Sequence, residues 1–188
     1  GLSAKPVLAT VRYGMPAGTS VRSHLVLVTE LQDRFYLSDT GFGCGAIWPL
    51  RLDQSGKAQR QHGLNFMVTK IEDGYLVQLR QKTGWVDLYQ FDLNEVSHRQ
   101  IDDANHFSAR SPESMLSLNL VATIYHGGGR RVLLNTRYHD EASGKSEEIR
   151  GSIDLRSCLK HQFSIDLSTA EIHRVFTVAK NADRPSFS

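Results

Sequence analysis

The feature that most restricts the fold of this chain is a train of short, strand-like runs through its first half. They recur at about residues 5–14, 23–30, 34–39, 64–70, 75–80 and 85–91. In the first run Val7, Ala9 and Val11 alternate with Leu8, Thr10 and Arg12, the two-residue period of a strand with one buried face. Turn chemistry separates the runs, as at Pro16-Ala17-Gly18, Gln32-Asp33 and Asp73-Gly74. Many short strands broken by hairpin turns predict an antiparallel β-barrel or a curled antiparallel sheet.

The second half reads differently. From about Asn94 to Ser114 the alternation fails, the composition turns polar and Pro112 intervenes. This predicts an irregular or partly helical connector. The runs 116–126 and 131–138 predict two more strands around a glycine-rich break. Leu155, Leu159 and Phe163 then take helical spacing, and Ser168-Thr169-Ala170-Glu171 is a capping box that opens a final helix through about Lys180.

Composition excludes several classes of function. Of the 188 residues 40% are hydrophobic, enough for one sizeable core or two small lobes. No run of about 18 apolar residues predicts a membrane span, and the opening residues lack the pattern of a signal peptide. Two cysteines, Cys44 and Cys158, are too few for a disulfide framework, and a cytoplasmic location is expected. The net charge is +2 with basic residues spread along the chain, so nucleic acid is not an expected partner. Neither CxxC nor HExxH occurs, and no metal is expected. A strand-like run from the first residues suggests a piece of something longer.

The stretch "RSHLVLVTELQDRFYLSDTGFG" (Arg22 to Gly43) places a histidine near the start of one predicted strand and an aspartate at the end of the next. Facing residues of an antiparallel hairpin have a constant sum of positions. A turn centred on Leu31 and Gln32 makes His24 face Asp39 directly. A turn centred on Gln32 and Asp33 makes His24 face Gly41, with Asp39 its diagonal neighbour on the same side. Only a three-residue turn separates them onto opposite faces. Facing or diagonal β-carbons lie roughly 4.5–8 Å apart, a gap that an imidazole and a carboxylate can bridge. An aspartate bonded to one ring nitrogen fixes the tautomer and favours the imidazolium, the arrangement needed behind a nucleophile. The ordinary reading is a satisfied histidine at a strand start and a turn aspartate before glycine. Gly41, Gly43 and Gly45 around Phe42 allow an unusual backbone path and close approach by another molecule.

These residues resemble a known family. "SHLVLV" (Ser23 to Val28), "YLSDTGFG" (Tyr36 to Gly43) and "PLRL" (Pro49 to Leu52) are similar to the core of the arylamine N-acetyltransferases, including the bacterial N-hydroxyarylamine O-acetyltransferases. "LYQFDL" (Leu88 to Leu93), "HFSARSPESML" (His106 to Leu116) and the final helix extend the resemblance along nearly the whole chain. It implies an α+β fold, with an antiparallel β-barrel over 1–110, then a connector and a small α/β lid with C-terminal helices over 111–188. It implies a Cys-His-Asp triad that takes an acetyl group from acetyl-CoA and passes it to an aromatic amine or hydroxylamine in a ping-pong cycle. His24 would be the base and Asp39 its orienter. Phe42 would line the acceptor pocket, with Ser23 and Gly43 near the thiol end of acetyl-CoA.

The departure from the family pattern is the nucleophile. The family carries it in an N-terminal helical domain, in an R-G-G-x-C-like motif that has no counterpart here. Gly1-Leu2 resembles the junction where that domain ends. The missing helical domain, or a second copy of the chain in a homo-oligomer, is the expected cover of the His24–Asp39 face, and the isolated chain is expected to be inactive. Cys44, five residues beyond Asp39, is better suited to a small apolar environment than to attack. Cys158 falls on a predicted helix at a core position.

Two further features have more than one reading. His126 to Arg131 ("HGGGRR") suits a phosphate cradle or, more simply, a hairpin turn. Trp48 and Trp85 suit aromatic stacking or, more simply, a barrel core. The competing function, from another class, is a non-catalytic β-barrel that binds a ligand in the same pocket.

Overall fold

A computed structural model of the chain describes residues 3–15, 18–126 and 129–182. The chain divides into two compact units, Gly1–Phe107 and Ser108–Ser188. The junction residues Gly1 and Leu2, and Pro16 and Ala17 of the first expected turn, lie outside the described residues.

The first unit contains β1 (Ala4–Val11), β2 (Arg22–Leu31), β3 (Arg34–Ser38), β4 (Leu50–Arg51), β5 (Ala58–Gln61), β6 (Leu64–Ile71), β7 (Gly74–Gln81) and β8 (Gly84–Phe91). They form one antiparallel sheet in the order β4-β3-β2-β1-β8-β7-β6-β5. The sheet curls into a barrel that is almost closed. Its two edges, β4 and β5, are joined by side chains. The Gln59 amide accepts from the Arg51 N–H at 2.9 Å and donates to the Arg51 carbonyl at 2.9 Å. The Gln61 amide does the same at Trp48, at 2.8 and 2.9 Å. Two primary amides thus satisfy edge groups that a neighbouring strand would otherwise satisfy.

The core follows the predicted alternation along β2, but β1 is buried on both faces, with Leu8 and Thr10 enclosed like Val7 and Ala9. Val7 and Ala9 of β1, Val26 and Val28 of β2, and Leu37 of β3 point inward with Phe66, Val77, Leu79 and Phe91. Between β2 and β3 the turn is Gln32-Asp33, both at positive φ, 52° and 57°, as a two-residue type I′ hairpin requires. At the β6–β7 and β7–β8 hairpins the turn residues are Glu72-Asp73 and Lys82-Thr83, with Gly74 and Gly84 opening the following strands. Gly74 has no room for a side chain: a β-carbon would sit 2.2 Å from the Phe91 carbonyl oxygen.

Two segments depart from the sequence reading, and a third takes the helical form of the two it allowed. The polar stretch after Asn94 contains a regular helix, α1 (His98–Arg110), in which only Ala104 is buried. Ile101, Ala104 and Phe107 lie on its less exposed side at helical spacing. The expected strand 116–126 starts late: Met115–Leu118 is a short helix, α2, capped by Ser114, and β9 spans Val121–His126. The expected strand 131–138 is two strands, β10 (Gly129–Leu134) and β11 (Arg137–Asp140). They are parted at Asn135, whose φ is 54° and whose side chain bonds the Leu120 N–H and the Asn119 side chain. β4, β5 and β12 (Lys145–Glu148) had no apolar alternation to announce them; β12 reads Lys-Ser-Glu-Glu.

The second unit stacks the sheet β12-β11-β10-β9 with α3 (Ser152–Phe163) and α4 (Thr169–Asn181). Leu133 and Tyr138 meet Leu155, Leu159, Phe163 and Ile172 in its core. Cys158 packs against the same cluster, and burial pushes its thiol pKa up. The capping box of α4 forms as read: the Ser168 hydroxyl accepts from the Glu171 N–H, and the Glu171 carboxylate accepts from the Ser168 N–H. No described helix is long and apolar enough to cross a membrane.

Candidate active site

The observed β2–β3 register pairs Leu27 with Ser38 and Leu31 with Arg34. Continued to the end of the hairpin, it sets His24 opposite Gly41 and leaves Asp39 diagonal to His24, the second of the two registers that place the pair on one face. His24 Nε2 lies 2.9 Å from Asp39 Oδ2. A β-carbon on Gly41 would be 3.7 Å from His24 Cε1, which fits the facing position. On the other side of β2, His24 pairs with Ala9 and Arg22 with Thr10. Ser23 is therefore the extra residue of a β-bulge, a device that re-aims neighbouring side chains.

Asp39 is enclosed; its side chain is 2% exposed and that of His24 12%. Its Oδ1 accepts from the N–H groups of Gly41 and Phe42, both at 3.1 Å. Burial pushes the Asp39 carboxyl pKa up. The hydrogen bond and charge of His24, the Tyr89 hydroxyl and the Gly41 N–H outweigh that, and the pKa lies below its ordinary value. Gly45 packs closely on this turn: its N–H donates to the Phe42 carbonyl at 2.7 Å. A β-carbon there would lie 3.0 Å from the same oxygen and 3.2 Å from Asp39 Oδ2.

Tyr89, on β8, lies within the LYQFDL stretch, but nothing in the sequence assigned it to the site. Its ring is buried and meets both His24 and Phe42, with centroids 5.1 and 5.2 Å away. His24 and Phe42 are 5.1 Å apart. Burial, then the facing Asp39 charge, raises the Tyr89 phenol well above its usual pKa, so it remains a neutral donor. The Phe42 and Tyr89 rings fix the imidazole while Asp39 holds Nε2. Nδ1 is left as the nitrogen open to a further group, and no bond to it occurs among the described residues. Such a couple can accept a proton from an acidic group brought to Nδ1 and stabilise the resulting imidazolium.

Of the other candidates, Phe42 is at the couple and the rest are dispersed. Phe42 packs partly against the barrel core, and Gly43 is exposed in the loop after it. Cys44 is half-buried and packs against the same core. The tryptophans are not core residues as expected. Trp48 is 65% exposed with its indole edge-on to His62; Trp85 lies partly buried beneath the Arg80 guanidinium. Gly127 and Gly128 of the glycine-rich turn lie outside the described residues. Arg130, beside them, is committed to Glu141. No group of three potential metal ligands gathers among the described residues.

This barrel, with a histidine–aspartate couple at its rim, matches known proteins. A family model described as N-acetyltransferase matches residues 1–172. The chain belongs to the arylamine N-acetyltransferase family. It is 26% identical over 187 residues to the arylamine N-acetyltransferase / N-hydroxyarylamine O-acetyltransferase of Salmonella typhimurium, covering 97% of this chain and 66% of that protein. It is 25% identical to the arylamine N-acetyltransferase of Escherichia coli, covering 91% of this chain and 62% of that one. The chain thus spans just under two thirds of the curated relatives it matches. Among solved structures, the Salmonella typhimurium enzyme superposes with a TM-score of 0.85 at 24% identity, over 94% of this chain and 69% of that one. The Mycobacterium marinum arylamine N-acetyltransferase described in complex with CoA gives 0.83 at 21% identity, over 97% and 70%. These two likenesses place the barrel, small sheet and C-terminal helices in the fold of this family.

Proposed function

We propose that this chain is the barrel-and-lid portion of an acetyl-CoA-dependent acetyltransferase that acts on arylamines or N-hydroxyarylamines. The single observation that carries the reading is the enclosed His24–Asp39 couple with Nδ1 open. A cysteine thiol from outside the chain gives its proton to His24 Nδ1. The thiolate attacks the acetyl carbonyl, and coenzyme A leaves with the proton held by the imidazolium. The acceptor amine then attacks the thioester, loses a proton to His24 and restores the thiolate. Asp39 holds the tautomer and the developing charge throughout. Phe42 lines the acceptor pocket, and Ser23 and Gly43 lie near the thiol end of acetyl-CoA. The exposed side chains of Val21, Ile47 and Trp48 in the flanking segments favour a further domain covering this face. Neither Cys44 nor Cys158 is in a disulfide, which suits a reducing cytoplasm.

The test compares two chains. The 188-residue chain should not transfer acetyl from acetyl-CoA to an aromatic amine. A chain preceded by a family helical domain with R-G-G-x-C should do so, and His24→Ala should abolish it. Robust transfer by the 188-residue chain that disappears on Cys44→Ser would overturn the external nucleophile. An inactive extended chain that still binds aromatic amines would favour a binding module.

A further inference from the structure

The second unit holds a cleft of about 240 Å³ between the β10–β11 turn and the end of α4. It plays no part in the acetyl-transfer reading. Its floor is apolar, formed by Ile149, Phe176 and Ala179, with Ile149 and Ala179 buried. Its rim carries Arg137, Glu148, Arg150 and Lys180. Glu148 is already engaged on both oxygens: Thr136 Oγ1 donates to Oε1 at 2.6 Å, and Arg137 Nε lies 3.9 Å from Oε2. Arg150 and Lys180 have no ion-pair partner among the described residues. Among the described residues the rim therefore holds two cations more than its carboxylate balances, over an apolar floor.

We propose that this cleft binds a compact carboxylate with an apolar body, the charge between Arg150 and Lys180 and the body on Phe176 and Ile149. Excess cationic charge over a low-dielectric wall concentrates anions. The floor adds transfer free energy that an inorganic anion lacks. The volume falls below the roughly 300–1,000 Å³ of sites for drug-sized ligands, so a nucleotide-bearing cofactor is too large for it.

Benzoate is the probe, with benzyl alcohol as its neutral counterpart and inorganic phosphate as an anion without a body. NMR titration of the labelled full chain should show saturable shifts at Ile149 and Ala179 with benzoate. Affinity should be at least about tenfold lower (about 1.4 kcal/mol) for either control. It should fall by a similar factor in the double variant Arg150→Gln, Lys180→Gln. Both side chains are exposed, and unchanged amide shifts elsewhere verify the fold. Equal affinities for benzoate and benzyl alcohol would overturn the charge argument, and equal affinities for benzoate and phosphate would overturn the apolar one. Unsaturable shifts, or full affinity in the double variant, would remove the site.

Discussion

His24 Nε2 and Asp39 Oδ2 lie 2.9 Å apart across the end of one hairpin. They are neighbours because of the register that the Gln32-Asp33 turn imposes. The carboxylate they share with two backbone N–H groups has almost no contact with water, so its hydrogen bonds are strong and its loss costly. The consequence for activity is direct. In an extended, active chain, Asp39→Asn should lower kcat/KM by about 10⁴-fold, because an amide holds the imidazole in the wrong tautomer. Steady-state kinetics checks this; a loss under tenfold would mean that Asp39 does not orient His24.

The same pair makes a prediction about acid. Asp39 titrates lower in the folded chain than its ordinary value of 3.8, so the unfolded chain binds its proton first as pH falls. Its contribution to stability is complete above that value and is lost as pH drops through the depressed folded pKa. Denaturant titrations of the wild type and Asp39→Asn should therefore differ most near neutrality and converge in strong acid. A gap that widens toward low pH would contradict the assignment.

Tyr89→Phe removes a donor from Asp39 while keeping the ring against His24 and Phe42. The Asp39 carboxyl pKa should move up toward its ordinary value, as followed by the carbon shift of its side chain. An unmoved midpoint would show that the phenol does not serve the carboxylate.

Gly74→Ala should be among the most destabilising single-methyl additions in the barrel. The new β-carbon meets the Phe91 carbonyl oxygen at 2.2 Å, at a φ of 142° that side chains rarely adopt. A loss of at least about 2 kcal/mol in denaturant unfolding is expected. Gly84→Ala serves as the control: its φ is a similar 144°, but nothing lies within 4 Å, so it should cost less.

The seam between β4 and β5 is testable by hydrogen exchange. Gln59→Ala and Gln61→Ala each remove two amide bonds to backbone, worth about 1–2 kcal/mol per residue. The Arg51 and Trp48 N–H groups should then exchange faster, with little change in β1 and β2. Unaltered exchange at both would mean that the glutamines do not hold the edges together.

What the sequence determined by itself was local. Alternation marked β1, β2, β3 and β6 to β8. Parity across a two-residue turn was enough to place His24 and Asp39 on one face, because side chains alternate strictly along a strand. Ser168 and Glu171 announced α4 because a capping box closes within one turn. The tertiary structure decided what depends on distant segments meeting. Tyr89 reaches Asp39 only because β8 pairs with β1, which pairs with β2. Gln59 and Gln61 face Arg51 and Trp48 only because the sheet curls far enough to bring its edges together. Neither has a local period to betray it, since twist and curl accumulate over all eight strands rather than residing in any one of them.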